Sequence, residues 1–315
     1  MVLVALAFAL AAVVGAARSS AAASGACVPP PLPSAPNSSR LAPSDRPELL
    51  RDVLYAQQEG MDLLMDLLLP RRPDGVASPV LFYPSANGHA VPKDPFTEAV
   101  RQRGYAVVRA QVRYYEPSSK FPDALVDAKS AVRFLKAHAS EYGIDPERIV
   151  ACGSSKNGMF ASMLGTMGEA TQYDLGANLD ISSRVAAVVN FAGHTDLTSF
   201  YADGMADPQV KMDEETYEAK NEQFLGCPAF DCLELERAAS AITYADPSDA
   251  PQMLVLGSED ALVPSLQMTR FLDRLLAVCV SAYYILVDGA PHAVAGALRE
   301  SDIQQILAFL ETFVE

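Results

Sequence analysis

The chain has 315 residues, 50% of them hydrophobic, which is enough for one large or two small domains. Asp and Glu number 39 against 24 Lys and Arg, a formal net charge of -15, and no Lys/Arg cluster stands out. That balance argues against nucleic acid and anionic membrane surfaces as partners. The lack of any repeat with a period of roughly 20–50 residues argues against a solenoid or propeller.

Val2 to Gly15 is an apolar run followed by small residues from Ala16 to Ala26. This is the pattern of a secretory signal, with the amino terminus alone supplying the positive charge of its first region. The run falls short of the roughly 20 apolar residues that a membrane span needs, so no stable membrane insertion is expected. Cleavage is expected after Ala17, Ala23 or Ala26, which defines a signal peptide over 1–26. Pro29 to Pro47 is rich in Pro and Ser and reads as a disordered leader over 27–48. The folded part then covers 49–315. Among five cysteines, Cys227 and Cys232 flank Pro-Ala-Phe-Asp and could close a small disulfide loop outside the cell. Cys152 and Cys279 read as packing thiols. No Cys/His set has zinc-ligand spacing, so no structural metal is expected.

Met61 to Leu69 fits strand or helix by periodicity, and the Pro70-Arg-Arg-Pro-Asp-Gly turn closes it like a hairpin. Val80 to Tyr83 is a short buried strand, Thr97 to Arg103 a helix stopped by Gly104, and Tyr105 to Val112 another strand. A helix from about Asp123 carries Leu125, Ala128, Val132 and Leu135 at spacings of three and four. Strands follow at Ile149 to Cys152, Val185 to Phe191, Gln252 to Leu256 and Ala282 to Val287. Helices are expected after Gly158, over Leu266 to Leu276 and at the C-terminus, where Ile303, Ile306, Leu307, Leu310 and Phe313 share a face. Alternating strands and helices imply an α/β fold, a mainly parallel sheet covered on both faces. Residues 195–248 break that rhythm, and are acidic and turn-rich. They read as a cap insertion over the carboxyl edge of the sheet, where open α/β sheets bind ligands.

The chain turns on Gly153-Ser-Ser-Lys-Asn-Gly158, a tight turn between a buried strand and a helix. A serine so placed is a nucleophile elbow, normally G-x-S-x-G, and Ser155 is the candidate. The helix N-terminus aims unpaired N–H groups and a positive dipole end at it. Gly153 meets the first small-residue requirement, whereas Asn157 stands at the second. Two further groups sit just beyond strand ends: Asp260 in Gly257-Ser-Glu-Asp-Ala-Leu-Val-Pro264 and His292 in Asp288-Gly-Ala-Pro-His292. Neutral imidazole can take the serine proton and return it to a leaving group, while the carboxylate holds the tautomer and stabilises imidazolium. Of the other three histidines, His138 ends a helix and His194 opens the insertion. His89 lies in the loop after the first buried strand, within range of a substrate.

The order Ser…Asp…His resembles that of the α/β-hydrolases. From about Arg51 onward the chain is similar to the carbohydrate-esterase and hormone-sensitive-lipase-like branches of that superfamily. The stretches that carry the likeness are Arg103-Gly-Tyr-Ala-Val-Val, Phe121-Pro-Asp-Ala-Leu-Val-Asp-Ala, Tyr142-Gly-Ile-Asp-Pro-Glu-Arg-Ile and Gly257-Ser-Glu-Asp-Ala-Leu-Val-Pro. The resemblance implies an α/β-hydrolase fold and serine hydrolysis of a small-molecule carboxylic ester, acyl or feruloyl esters of carbohydrates among them; with the N-terminal signal pattern, a secreted serine esterase is expected. It implies no metal and no organic cofactor. It also implies an oxyanion hole, and here the chain departs from the pattern. Pro84-Ser-Ala-Asn-Gly88 replaces the usual His-Gly-Gly-Gly, so the donors expected are Lys156 N–H and a group from Ser85, Ala86 or Asn87, the Asn87 side-chain amide included. The alternative reading is a hydrolase-like binding protein that turns nothing over. A peptidase with a large propeller does not fit the length.

Overall fold

The structure, a computed structural model, describes residues 27–33, 47–70, 75–114, 118–168, 170–228 and 231–315. The expected signal peptide and most of the leader lie outside them. Eight strands form one sheet: β1 (Glu48–Gln58), β2 (Met61–Leu69), β3 (Ser78–Ser85), β4 (Ala106–Gln111), β5 (Ile144–Ser154), β6 (Ala187–Phe191), β7 (Gln252–Gly257) and β8 (Ala282–Val287). Their spatial order is β1-β2-β4-β3-β5-β6-β7-β8. The pairs from β4 to β8 are parallel, while β1–β2 and β2–β4 are antiparallel.

The central strands are apolar runs because helices cover both faces of the sheet, leaving no polar side to alternate with. Every residue of β6 and β7 is buried. Helices α1 (Pro95–Gln102), α2 (Asp123–Ala137), α3 (Ala139–Tyr142), α4 (Lys156–Thr166), α8 (Ser265–Ala277) and α9 (Glu300–Phe313) accompany the sheet. Between β6 and β7 lie α5 (Leu197–Ala206), α6 (Glu214–Leu225) and α7 (Leu233–Ala238), which occupy the segment expected as an insertion.

Two local expectations are corrected. Met61–Leu69 is a strand, but its hairpin precedes it: β1 and β2 join through Glu59 and Gly60, both at positive φ (51° and 81°). That is the backbone sign a two-residue hairpin matching strand twist requires. The Pro70 turn falls largely on residues 71–74, outside the described ones; the next strand in the chain is β3, which β4 separates from β2 in the sheet. Cys279 is not a packing thiol. It is bonded to Cys27 with Cα atoms 5.0 Å apart, tying the described part of the leader to the turn between α8 and β8. Tyr283 strengthens that attachment by donating its hydroxyl to Pro30 O at 2.5 Å. Cys227 and Cys232 form the expected bridge between α6 and α7, and Cys152 remains free and buried.

Candidate active site

The turn from β5 into α4 holds Ser155 at φ 58° and ψ -125°. Side chains avoid this region, and keeping a non-glycine there costs about 1–3 kcal/mol that the surroundings must offset. They do so through backbone pairing and close approach. Ser155 N–H donates to Phe191 O at 2.8 Å, bolting the elbow to the end of β6. A Cβ on Gly153 would lie 2.3 Å from the Asn157 carbonyl carbon. One on Gly158 would meet Asn190 Oδ1 at 2.5 Å and Gly193 Cα at 3.1 Å. The tight helix–strand approach thus falls on Gly153 and Gly158, leaving room for a side chain at Asn157.

His292 and Asp260 come together from the ends of β8 and β7. His292 Nδ1 is 2.9 Å from Asp260 Oδ2. The other carboxylate oxygen, Oδ1, accepts the N–H of Leu262 at 2.8 Å and of Val263 at 3.0 Å. Asp260 is 3% exposed, so its negative charge is held in place by three donors rather than by water. With Nδ1–H donated to Asp260, Nε2 is left as the basic nitrogen. Gly257 makes the juxtaposition possible: a Cβ there would strike Ala290 O at 2.1 Å, in the loop that delivers His292.

Ser155, Lys156 and His292 line one cavity of about 310 Å³. Its roof is the insertion, chiefly α6, and one wall is Tyr114. Lys156 Nζ sits 4.2 Å from the centre of the Tyr114 ring. Tyr114 is positioned from behind. The neighbouring Arg113 gives its backbone N–H and its guanidinium Nε–H and Nη2–H to buried Asp127, at 2.8 to 3.0 Å. The insertion is fastened by Gln267 of α8. Its Oε1 accepts Thr195 N–H (3.0 Å) and Asp196 N–H (2.9 Å), and its Nε2 donates to Asp203 Oδ2 at 2.9 Å.

The loop after β3, from which oxyanion donors are expected, packs against the elbow. Ser85, Ala86 and Asn87 are not among the residues lining the cavity. The Ala86 N–H donates to Asn157 Oδ1 at 3.0 Å, so the residue that breaks the elbow motif holds the loop that would complete the hole. Ser85 Oγ accepts Arg109 Nε–H at 2.8 Å and Asn87 N–H at 3.2 Å. His89 does not reach the cavity either. Its Nε2 lies 2.8 Å from Asp52 Oδ1 and 3.7 Å from Asp66 Oδ1, on the hairpin side of the sheet.

His194, read from the sequence only as the start of the insertion, lines the cavity. His194 follows β6, held up by a buried chain in which Asn190 Oδ1 accepts Gly193 N–H at 2.7 Å and Asn190 Nδ2 donates to Ser162 Oγ at 2.8 Å. Burial, then the nearby cations, pushes its pKa down to about 3, so it is neutral at ordinary pH. Its Nδ1 is buried without a hydrogen-bond partner. The available signal was its place just past the carboxyl end of a parallel strand, the edge where such sheets bind ligands.

This strand order, a serine on a strained turn after β5 and an Asp–His pair from the ends of β7 and β8, define an α/β-hydrolase. The BD-FAE family model matches residues 86–275, more than half the chain, and the protein belongs to that family. It is similar to LipM of Mycobacterium tuberculosis, named a probable carboxylic ester hydrolase (30% identity over 58% of this chain and 40% of LipM). It is also similar to the esterase LipQ of the same organism (27% identity over 74% of this chain and 55% of LipQ). The chain therefore spans about half the length of the curated relatives it matches, or less. Among solved structures, a truncated carbohydrate esterase from gut microbiota superposes with a TM-score of 0.70 at 21% identity, covering 86% of this chain and 98% of that one. A bifunctional GH43-CE protein of Bacteroides eggerthii gives 0.67 at 26% identity, covering 84% of this chain and 35% of the other.

Proposed function

We propose that the protein is a serine esterase that hydrolyses carboxylic esters through Ser155, His292 and Asp260. The observation that carries this is Ser155 on its strained elbow facing the same cavity as a histidine whose far nitrogen is tied to a buried aspartate. Ser155 Oγ attacks the ester carbonyl carbon as its proton passes to His292 Nε2. The carbonyl electron pair moves onto oxygen, where backbone N–H groups at the start of α4 can stabilise it. Collapse breaks the bond to the alcohol oxygen, which takes the proton from His292 and leaves an acyl-serine. Water then attacks the acyl carbon, giving one proton to His292; the acid departs and Ser155 Oγ recovers its proton. Asp260 keeps its charge throughout and stabilises the imidazolium.

Esters of carbohydrates are the favoured substrate class. The names of two structural neighbours and the aromatic residues lining the cavity support this. The leader-like N-terminus and two disulfides support secretion. The commitment of Ala86 N–H to Asn157 favours a second reading, a protein that binds an ester without turning it over. A fluorophosphonate probe separates the two. Labelling of the wild type and not of Ser155→Ala supports the esterase. Equal labelling of both removes Ser155 as nucleophile, and labelling of neither favours the binding protein.

A further inference from the structure

Charge on this molecule is distributed against its own average. Within residues 195–248 there are 12 acidic side chains and three basic ones, Lys211, Lys220 and Arg237. Two of those three basic residues line the cavity, and none of the 12 acids does. Helix α6 shows the sorting most plainly. Its cavity side presents Thr216, Tyr217, Lys220, Asn221 and Phe224, whereas Glu214, Glu215, Glu218 and Glu222 are exposed and face away. Lys156 lines the same cavity, so three lysines and Ser155 share it.

Among the described residues, several carboxylates of this segment are engaged with other partners. Asp213 caps α6, its two oxygens taking Thr216 N–H and Oγ1–H at 2.8 Å each. Glu236 holds Asn221 from behind the helix at 3.2 Å. Asp203 pairs with Arg270 at 2.7 Å. Crowding among the cations is felt within the site. Burial first, and then Lys220, lowers the Lys156 pKa to about 8. A chain carrying a net -15 repels anions at long range, so an anionic ligand needs locally placed positive charge to be retained.

We infer that the site takes esters bearing a second, negatively charged group, a carboxylate that settles among Lys156, Lys211 and Lys220 while the ester carbonyl lies at Ser155. This deepens the esterase reading and rests on it for turnover. The carboxylate can belong to the acid part of the ester or to the alcohol part, and matched substrate pairs tell the two apart. On the acid side, monomethyl adipate is compared with methyl 5-carbamoylpentanoate. On the alcohol side, 4-acetoxybenzoate is compared with 4-acetoxybenzamide. In each pair an amide replaces the carboxylate with little change of shape.

The expected result is a kcat/KM about tenfold or more in favour of the anionic member of at least one pair, falling as NaCl screens the charges. Lys211→Gln with Lys220→Gln should shrink that ratio at least about fivefold while thermal melting stays the same, since both lysines are exposed. A ratio near one in both pairs, with neutral esters turned over in a Ser155-dependent way, overturns the inference and leaves the esterase standing. If no ester is turned over, the esterase reading fails and binding decides. Calorimetry on Ser155→Ala should then show adipate bound more tightly than adipamide, and equal binding of the two overturns the inference.

Discussion

Asp260→Asn is the sharpest test of how the strand ends cooperate. The two oxygens of Asp260 do different work: Oδ1 takes the Leu262 and Val263 N–H groups, and Oδ2 takes the His292 proton. An asparagine can satisfy the two backbone donors only with its oxygen, so its NH2 must face His292 Nδ1. That nitrogen then has to accept, the ring proton moves to Nε2, and the base is lost. A wrong tautomer in such a triad lowers kcat by about 10⁴, equivalent to about 5 kcal/mol of transition-state stabilisation. Folding should hardly change, because Oδ1 and both of its donors are retained. Asp260→Ala differs. It leaves two N–H groups without their acceptor, at about 1–3 kcal/mol for each one that stays buried. The assay pairs initial rates on short-chain p-nitrophenyl esters with thermal melting. Both variants should lose activity alike, with only the alanine melting early. An Asp260→Asn enzyme within about tenfold of wild type would refute the tautomer argument.

Asn157→Ala should release the Ala86 N–H from the 3.0 Å bond that occupies it and raise kcat a few-fold with KM little changed; a fall in kcat would show that Asn157 instead holds the loop in its working position. Non-reducing peptide mapping should find Cys27 joined to Cys279 and Cys227 to Cys232. Because Cys27 and Cys279 are 252 residues apart, Cys279→Ser should lower the Tm far more than Cys232→Ser, with about 5 kcal/mol as the chain-entropy ceiling for the long loop. Asp249 is half-buried, and burial raises its pKa from 3.8 to about 7. The folded state therefore binds more protons than the unfolded one between these values, and stability from this group falls as pH rises from about 4 to 7. Asp249→Asn keeps the acceptor for Asp246 N–H and should stabilise by about 1 kcal/mol at pH 8, after allowance for solvent screening, with no gain at pH 4. Equal melting shifts at both pH values would count against it.

The parallel sheet, most helix positions and the three strand-end groups were legible in the chain because each is written locally. Buried parallel strands are continuous apolar runs, amphipathic helices repeat at three and four, and Gly153-x-Ser155 stands between such a strand and a helix. Asp260 and His292 could be named for the same reason, each standing just past such a run. Pairings without a local signature were decided only by tertiary structure. The Cys27–Cys279 bond spans 252 residues, and no periodicity marks which thiols meet. β1 carries Asp52 at positive φ and breaks in register, so its alternation was obscured and its hairpin with β2 went unread. Asn157 looked like a defect in the elbow, yet Gly158 supplies the close approach and Asn157 reaches the Ala86 N–H from 71 residues away. The sorting of charge on α6 likewise depends on which face the insertion turns towards Ser155. Composition sets the net charge of the chain; only packing decides that lysines line the cavity while the glutamates face away.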